Sequence, residues 1–493
     1  MQRKERLILI SMCLSLASVV AAMTSLNVAL PDIARATGAS TTQLQWIIDA
    51  YSLVFASLLL PAGALGDRLG RRRVLLAGLT IFGVGALIAT QVNDAGTLIA
   101  IRAVMGIGAA LTMPTTLSII TSAFSADSRD RAVGVWAGVA GGAAIVGGLA
   151  SGLLLEWFSW PSVFSLSAVL AAVAIAATLR FVPSGIGQRV PIDAGGAVLS
   201  ALGLTAIVWG FIEGPSRGWT SPTVAGAFAA GGLLLVGFVL HELRRDEPML
   251  DPRLFALRGF GSGSLSIFTQ FFALFGVIFV VLQYLQFVLG YSPLQAAAAL
   301  APASVTMMFV APRTPRVVER FGMRRVGPLG LTTVAAGLVL ASTMGVGSSY
   351  WMLGGALALL GLGVGMAGPP ATTAIVTSLP DDKQGVASAV NDTAREVGGA
   401  LGIAVLGSVL ASHVGHMGPH MDPQSLVDGY QAALRVGAAA LVGGAAIVFW
   451  RAPRSARRRT PRSIAPASTA TPTRTARRGS ALARVRMRVA SRP

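Results

Sequence analysis

Apolar runs of about 18 to 25 residues recur along almost the whole chain, each long enough to cross a hydrocarbon core roughly 30 Å thick. No other feature restricts the fold as much. The 493 residues are 53% hydrophobic and only 12% charged, against roughly 25% charged in an ordinary soluble domain. A soluble protein is therefore excluded. Gly 58, scattered through the runs, suits helices whose backbones approach closely in lipid.

The runs fall near 7–30, 44–64, 74–91, 97–120, 131–155, 163–183, 193–213, 222–241, 261–288, 294–312, 326–345, 349–371, 385–411 and 430–450. They predict an all-α integral membrane protein of fourteen spans. The first run, LILISMCLSLASVVAAMTSLNVAL behind QRKER, is too long for a signal peptide and many more follow, so it reads as a retained helix. Cys13 in that run is the single cysteine, which excludes a disulfide framework or a thiolate metal cluster.

With a cytoplasmic N-terminus, the inside segments collect Arg68, Arg71, Arg72, Arg73, Arg129, Arg131, Arg244, Arg245, Arg313, Arg316, Arg320, Arg324 and Arg325, while the outside loops keep Arg35 and Arg217. That asymmetry sets the expected orientation, with both termini cytoplasmic. Residues 451–493 are Arg-, Ser-, Thr-, Ala- and Pro-rich without an apolar period, which predicts a disordered basic tail against anionic lipid. The tail carries much of the net charge of +18. No folded reader accompanies it, so no nucleic-acid partner is expected. Lys4 and Lys383 are the only lysines; with the Ala and Gly excess this suggests a high-GC bacterial gene and a plasma-membrane location.

Shifted by about 252 residues, PAGALGDRLGRRRVLLAGLT from Pro61 falls on PRTPRVVERFGMRRVGPLGLT near Pro312. Asp67 then meets Glu319, Arg68 meets Arg320, Gly70 meets Gly322, and Arg72 and Arg73 meet Arg324 and Arg325. Two halves of six helices are expected, with two further helices between them. Such repeats, with a site at their interface, mark secondary transporters.

The stretch Gly63-Ala-Leu-Gly-Asp67-Arg68-Leu-Gly70-Arg71-Arg72-Arg73 is expected in a short inside loop, its glycines permitting a tight turn and its arginines anchoring it at the inner leaflet. In residue types and spacing it resembles the loop signature of the major facilitator superfamily. LNVALPDI (26–33), QWIIDAY (45–51), LIAIRAVMGIGAAL (98–111), IEGPSRGWTSP (212–222), EPMLDPRLF (247–255), YLQFVLGYSPLQAAAAL (284–300) and GVASAVNDTAREVGGALGIAVLG (385–407) look like its fourteen-helix drug:proton antiporter branch. The resemblance implies a six-helix bundle at 1–185, two linker helices at 186–256, a second six-helix bundle at 257–450, and the tail at 451–493. It also implies a conformational gating role for Gly63, Asp67, Arg68, Gly70 and Arg71.

The chain departs from that branch in three places. Ala22 stands where helix one usually carries an acid, Gly147-Gly148-Leu-Ala-Ser-Gly152 lacks the usual proline after a glycine, and Asp49 replaces a small polar residue. Charges in the spans must be paired or face water. Arg102 resembles the family's fourth-helix arginine, implicated there in proton coupling; the alternative is a bundle-internal ion pair that locks helix four to a neighbour. Asp49, near the outer end of helix two, is either hydrated or a substitute acid for the N-half. Asp392, Arg395 and Glu396 share a helix face at i, i+3 and i+4. They form either a self-contained pair or a proton or cation site, Glu396 standing where the family more often has Gln. Asn27, Gln270, Gln283 and Asn391 are read as cavity-facing. The stripe Phe268, Phe271, Phe272, Phe275, Phe279 reads as packing or lipid contact before drug surface. His413, His416 and His420 read as a solvated loop.

The implied function is proton-coupled export of amphipathic small molecules, with protons, the substrate and the lipid bilayer as partners and no cofactor or metal. Neither lysine is followed by Ser or Thr, so no Walker motif makes a primary pump. A transporter of a specific metabolite without proton coupling, or an importer, stays open through Ala22 and Gly148. A non-transport membrane protein is the third reading. No loop carries a catalytic constellation, so an enzyme is not expected.

Overall fold

The computed structural model describes residues 3–124, 126–183, 193–246, 248, 250–379, 384–414 and 422–452. The tail beyond Ala452, His416, His420 and the Asp67 side chain lie outside the described residues.

In lipid a backbone must close its own hydrogen bonds, and the apolar runs do so as helices. They are α1 (Arg3–Thr37), α2 (Thr41–Leu69), α3 (Arg71–Ala89), α4 (Ala95–Ala123), α5 (Ala126–Trp157) and α6 (Pro161–Phe181), then α7 (Ala194–Arg217) and α8 (Pro222–Leu243). The second half holds α9 (Arg258–Gln283), α10 (Pro293–Ala299), α11 (Ala301–Val310), α12 (Thr314–Phe321), α13 (Met323–Ala341), α14 (Tyr350–Thr377), α15 (Gln384–Ala411) and α16 (Pro423–Arg451). Eleven segments among the described residues are long and apolar enough to cross a membrane, the stretch Pro293–Phe321 being one of them. The fourteen of the sequence reading require α2, α5 and α13 in addition.

Prolines explain why the expected single helix at 294–312 arrives in pieces. Pro293, Pro302, Pro312 and Pro315 each sit in the first turn of a new piece, where a missing N–H costs nothing. By contrast α1 runs past the expected end at 30, through a buried Pro31, to Thr37. A π-turn at Tyr284–Val288 prolongs α9.

The glycine-arginine motif is not a loop. It is helical to Leu69, and Gly70 alone turns the chain, with φ 95° and its N–H on the Gly66 carbonyl at 3.1 Å. A side chain at that φ would be strained, and one residue suffices where a loop was expected. Gly322 makes the same turn between α12 and α13, with φ 82°.

Packing repeats as well. A Cβ on Gly78 of α3 would lie 2.8 Å from the Gly108 carbonyl oxygen of α4, and one on Gly330 of α13 would lie 2.7 Å from the Gly363 carbonyl oxygen of α14. Backbones approach that closely only without side chains between them.

The inserted pair α7 and α8 is joined at one end through Asp193, which caps α7 and faces His241 Nε2 at 2.9 Å and Arg245 at 3.5 Å. Burial pushes the Asp193 carboxyl up, but the Gly196 N–H, His241 and Arg245 outweigh it and hold the group below the usual carboxylate range.

Candidate functional site

α2 and α15 run antiparallel where the two halves meet. Near the start of α2, Gln45 Nε2 donates to the carbonyls of Ile403 (3.2 Å) and Ala404 (3.1 Å) and to Ser408 Oγ (3.5 Å), close to the end of α15. Gly407 makes room, since a Cβ there would lie 2.5 Å from Gln45 Nε2. Two turns further along α2, Leu53 packs with Ala400 and Ala404 of α15 and with Val208 and Ile212 of α7. Gln45, Asp49 and Leu53 are successive at i+4 and form one stripe of α2; Glu396, Ala400 and Ala404 form the facing stripe of α15. Both candidate carboxyls therefore lie on the seam between the halves.

Asp49 is 0% exposed. That overturns a hydrated position at the helix end, because α7 and α15 close over this part of α2. Among the described residues neither carboxyl oxygen meets a hydrogen-bond partner. Arg102 is also buried, at 1% exposure, yet no carboxylate pairs with it among the described residues, so the interhelical ion pair is absent. Instead its Nε donates to the Ile47 carbonyl at 3.0 Å and its guanidinium lies 4.1 Å from the centre of the Tyr51 ring. A carbonyl dipole and a ring face hold this cation. Tyr51 is fully buried with an unpartnered hydroxyl.

On α15, Arg395 Nη2 stands 3.4 Å from Asp392 Oδ1 and its Nε 3.4 Å from Glu396 Oε1. The arginine thus lies between both carboxylates and restrains each loosely, rather than holding one and freeing the other. Glu396 is 2% exposed, and its Oε2 has no partner among the described residues.

The amides behave alike. Asn27, Gln270 and Gln283 each donate back to their own helix, to Met23, Ser266 and Phe279, and keep an unpartnered side-chain oxygen. Asn391 Oδ1 accepts from Thr372 of α14 at 3.1 Å. In the motif, Arg71 Nη1 donates to the Ser118 carbonyl of α4 at 2.8 Å, Arg68 is exposed, and a Cβ on Gly63 would only touch Pro114, at 3.9 Å. The aromatic stripe packs on α15: a Cβ on Gly398 would meet the Phe268 carbonyl, one on Gly399 the Phe275 ring, and one on Gly402 the Phe272 carbonyl.

Several residues of the seam escaped the sequence reading. Trp46 Nε1 donates to Glu213 Oε1 of α7 at 3.3 Å, and Ser408 Oγ donates to the Phe211 carbonyl at 2.6 Å, so α7 is tied to both halves. At the same end Arg35 lies 5.2 Å from the Phe287 ring centre and the Ser292 hydroxyl donates to Glu156, while Gln286 in the π-turn, read from the sequence with Gln270 and Gln283 as a cavity edge, donates to the Val28 carbonyl at 3.1 Å. The four-residue period of Gln45, Asp49 and Leu53 was the available signal for the seam; nothing local marked α7 as its cover.

The profile of the Major Facilitator Superfamily matches residues 12–403. The methyl viologen resistance protein SmvA of Salmonella typhimurium is 37% identical over 393 residues, 79% of this chain and 79% of that protein. The multidrug efflux pump LfrA of Mycolicibacterium smegmatis is 36% identical over 391 residues, 79% of this chain and 77% of that protein. Among solved structures, the POT family transporter PepTSo superposes with a TM-score of 0.69 over 92% of this chain and 98% of that one, at 16% identity. That last likeness speaks for the fold alone.

Proposed function

The chain belongs to the Major Facilitator Superfamily, and from that premise we propose that it is a proton-coupled exporter of amphipathic small molecules, cationic drugs among them. Its relatives are resistance and efflux proteins, which supports drug efflux. The observation that carries proton coupling is the pair of buried carboxyls on the seam, Asp49 and Glu396, each with an unpartnered oxygen. A buried carboxyl without a full set of partners is a place where a proton or a cation gains most.

In this reading fourteen spans cross a bacterial plasma membrane, with α1–α6 and α9–α16 as the two bundles and α7 and α8 as the linker pair. The arginine-rich Gly70 end faces the cytoplasm, and the Ser40 end, where Gln45 joins the halves, faces outward. Glu396 takes either a proton or the charged group of a substrate through its unpartnered oxygen, while Arg395, 3.4 Å from both Asp392 and Glu396, offsets part of the charge of each. Because one carboxyl cannot hold both occupants, loading a proton expels a cation and the reverse. The Gly63 to Arg71 segment governs how the halves move. The basic tail is assigned to anionic lipid.

The test is accumulation of methyl viologen in an efflux-deficient bacterial host carrying the gene. Lower accumulation than in the empty host, abolished by an uncoupler, is the expected result. Export that survives the uncoupler would replace coupling with facilitated transport, and unchanged accumulation would remove methyl viologen as a substrate.

A further inference from the structure

We propose that the outer seam closes only over a protonated Asp49, so that closing it is the step that takes a proton from the outside. The inference rests on the orientation and coupling just proposed, and it assigns to Asp49 a task separate from that of Glu396.

Asp49 is enclosed along its own stripe. One turn towards the helix start, Gln45 fastens α2 to the carbonyls of Ile403 and Ala404. One turn the other way, Leu53 is plugged into Ala400, Ala404, Val208 and Ile212. The tie from Trp46 to Glu213 keeps α7 against this part of the seam. The carboxyl between these contacts is fully buried and meets no donor.

Among the described residues no charge is paired with it. On α4, Arg102 is turned to the Ile47 carbonyl and the Tyr51 ring. On α15, Arg395 is engaged by Asp392 and Glu396, about one turn or more beyond the Leu53 plug. On α7, Glu213 is engaged by Trp46 and Arg217. Among the described residues none of these pairs with Asp49.

An ionised carboxylate shut into this layer loses its water and gains nothing, whereas the acid form loses far less. When α2 and α15 part, the stripe is bared and water solvates the carboxylate again. Closure and proton binding therefore favour one another to the same degree, as linkage requires. The proton comes from external water, resides on one Asp49 oxygen while the seam is shut, and returns to water when the stripe is next hydrated. Glu396 differs because Arg395 accompanies it, so its ionised form survives in the closed seam.

The experiment uses the full chain in nanodiscs without substrate. Spin labels replace Thr42 and Ser412, at the α2 and α15 ends of the seam, in a Cys13→Ala background. Their distance distribution is recorded at pH 5 and pH 8. The parent should lose the short-distance population by at least about threefold at the higher pH. Asp49→Asn and Asp49→Ser should hold the short distance at both values, and Asp428→Asn, on the exposed face of α16, should keep the parent's response. A parent indifferent to pH, or a pH response that survives in both Asp49 variants or vanishes in Asp428→Asn, overturns the proposal. Because no substrate is present, failure of the export reading shows separately, as a pH-responsive seam in a protein that moves no methyl viologen.

Discussion

At Gly70 and at Gly322 the chain makes the same one-residue reversal, and an arginine two residues on reaches the last helix of its own half. Arg72 donates to the Leu179 carbonyl of α6 at 2.7 Å, and Arg324 to the Phe449 carbonyl of α16 at 3.0 Å. In both, a cation meets the carbonyl end of a helix, where the helix dipole favours it. The glycine crossings of α3 on α4 and of α13 on α14 repeat too. What does not repeat is the chemistry. Arg71 bonds the Ser118 carbonyl, while its counterpart Met323 has no donor. The same shift of 252 residues sets Asp49 against Ala301 and Arg102 against Gly354. Shared features therefore build each bundle, and unshared ones carry what only one bundle does.

The largest expected effect breaks the shared part. Gly78→Val and Gly330→Val should each destabilise by about 1 to 3 kcal/mol, since a side chain must be forced between two backbones. Thermal unfolding in detergent checks this, and a cost confined to one half would mean that the crossings are not equivalent. An intermediate effect falls on the unshared part. Arg71→Met gives the first half the residue of the second; transport turnover should drop by roughly tenfold with little change in KM or melting temperature, as for a gating residue. Transport kinetics in proteoliposomes read this, and a change in KM alone would move Arg71 to substrate binding. Smallest are the helix-end arginines. Arg72→Ala and Arg324→Ala should cost about 0.3 to 1 kcal/mol each, Arg324 somewhat more because it also lies 4.6 Å from the Phe449 ring centre. Equal melting shifts in the two variants would assign nothing to that ring.

Much of the architecture was legible because lipid permits so few backbones. Apolar length gave the helices, and the pairing of Gly70 with Gly322 gave the repeat before their φ angles were known. Helix ends were less legible. Pro31 did not stop α1, since buried neighbours on both sides hold it, and the Gly63 to Leu69 segment, rich in loop-type residues, stays helical because one glycine makes the whole turn. The site was legible only as a set of residue types. Asp49, Arg102 and Glu396 stood out as charges in apolar surroundings, but their partners come from other helices: a carbonyl and a ring for Arg102, and no ion pair for Asp49. The role of α7 as a cover over the α2 and α15 stripes arises from a chain separation that no local pattern records.

The most direct test of proton-coupled export through the seam carboxyls uses inside-out membrane vesicles acidified by respiration, with the pH gradient followed by a fluorescent amine. Adding methyl viologen should partly collapse the gradient in vesicles bearing the parent protein. Vesicles with the double variant Asp49→Asn, Glu396→Gln should show no collapse at equal protein content. Collapse of the same size in the double variant, or uptake of methyl viologen by the parent with no proton movement, would contradict the account.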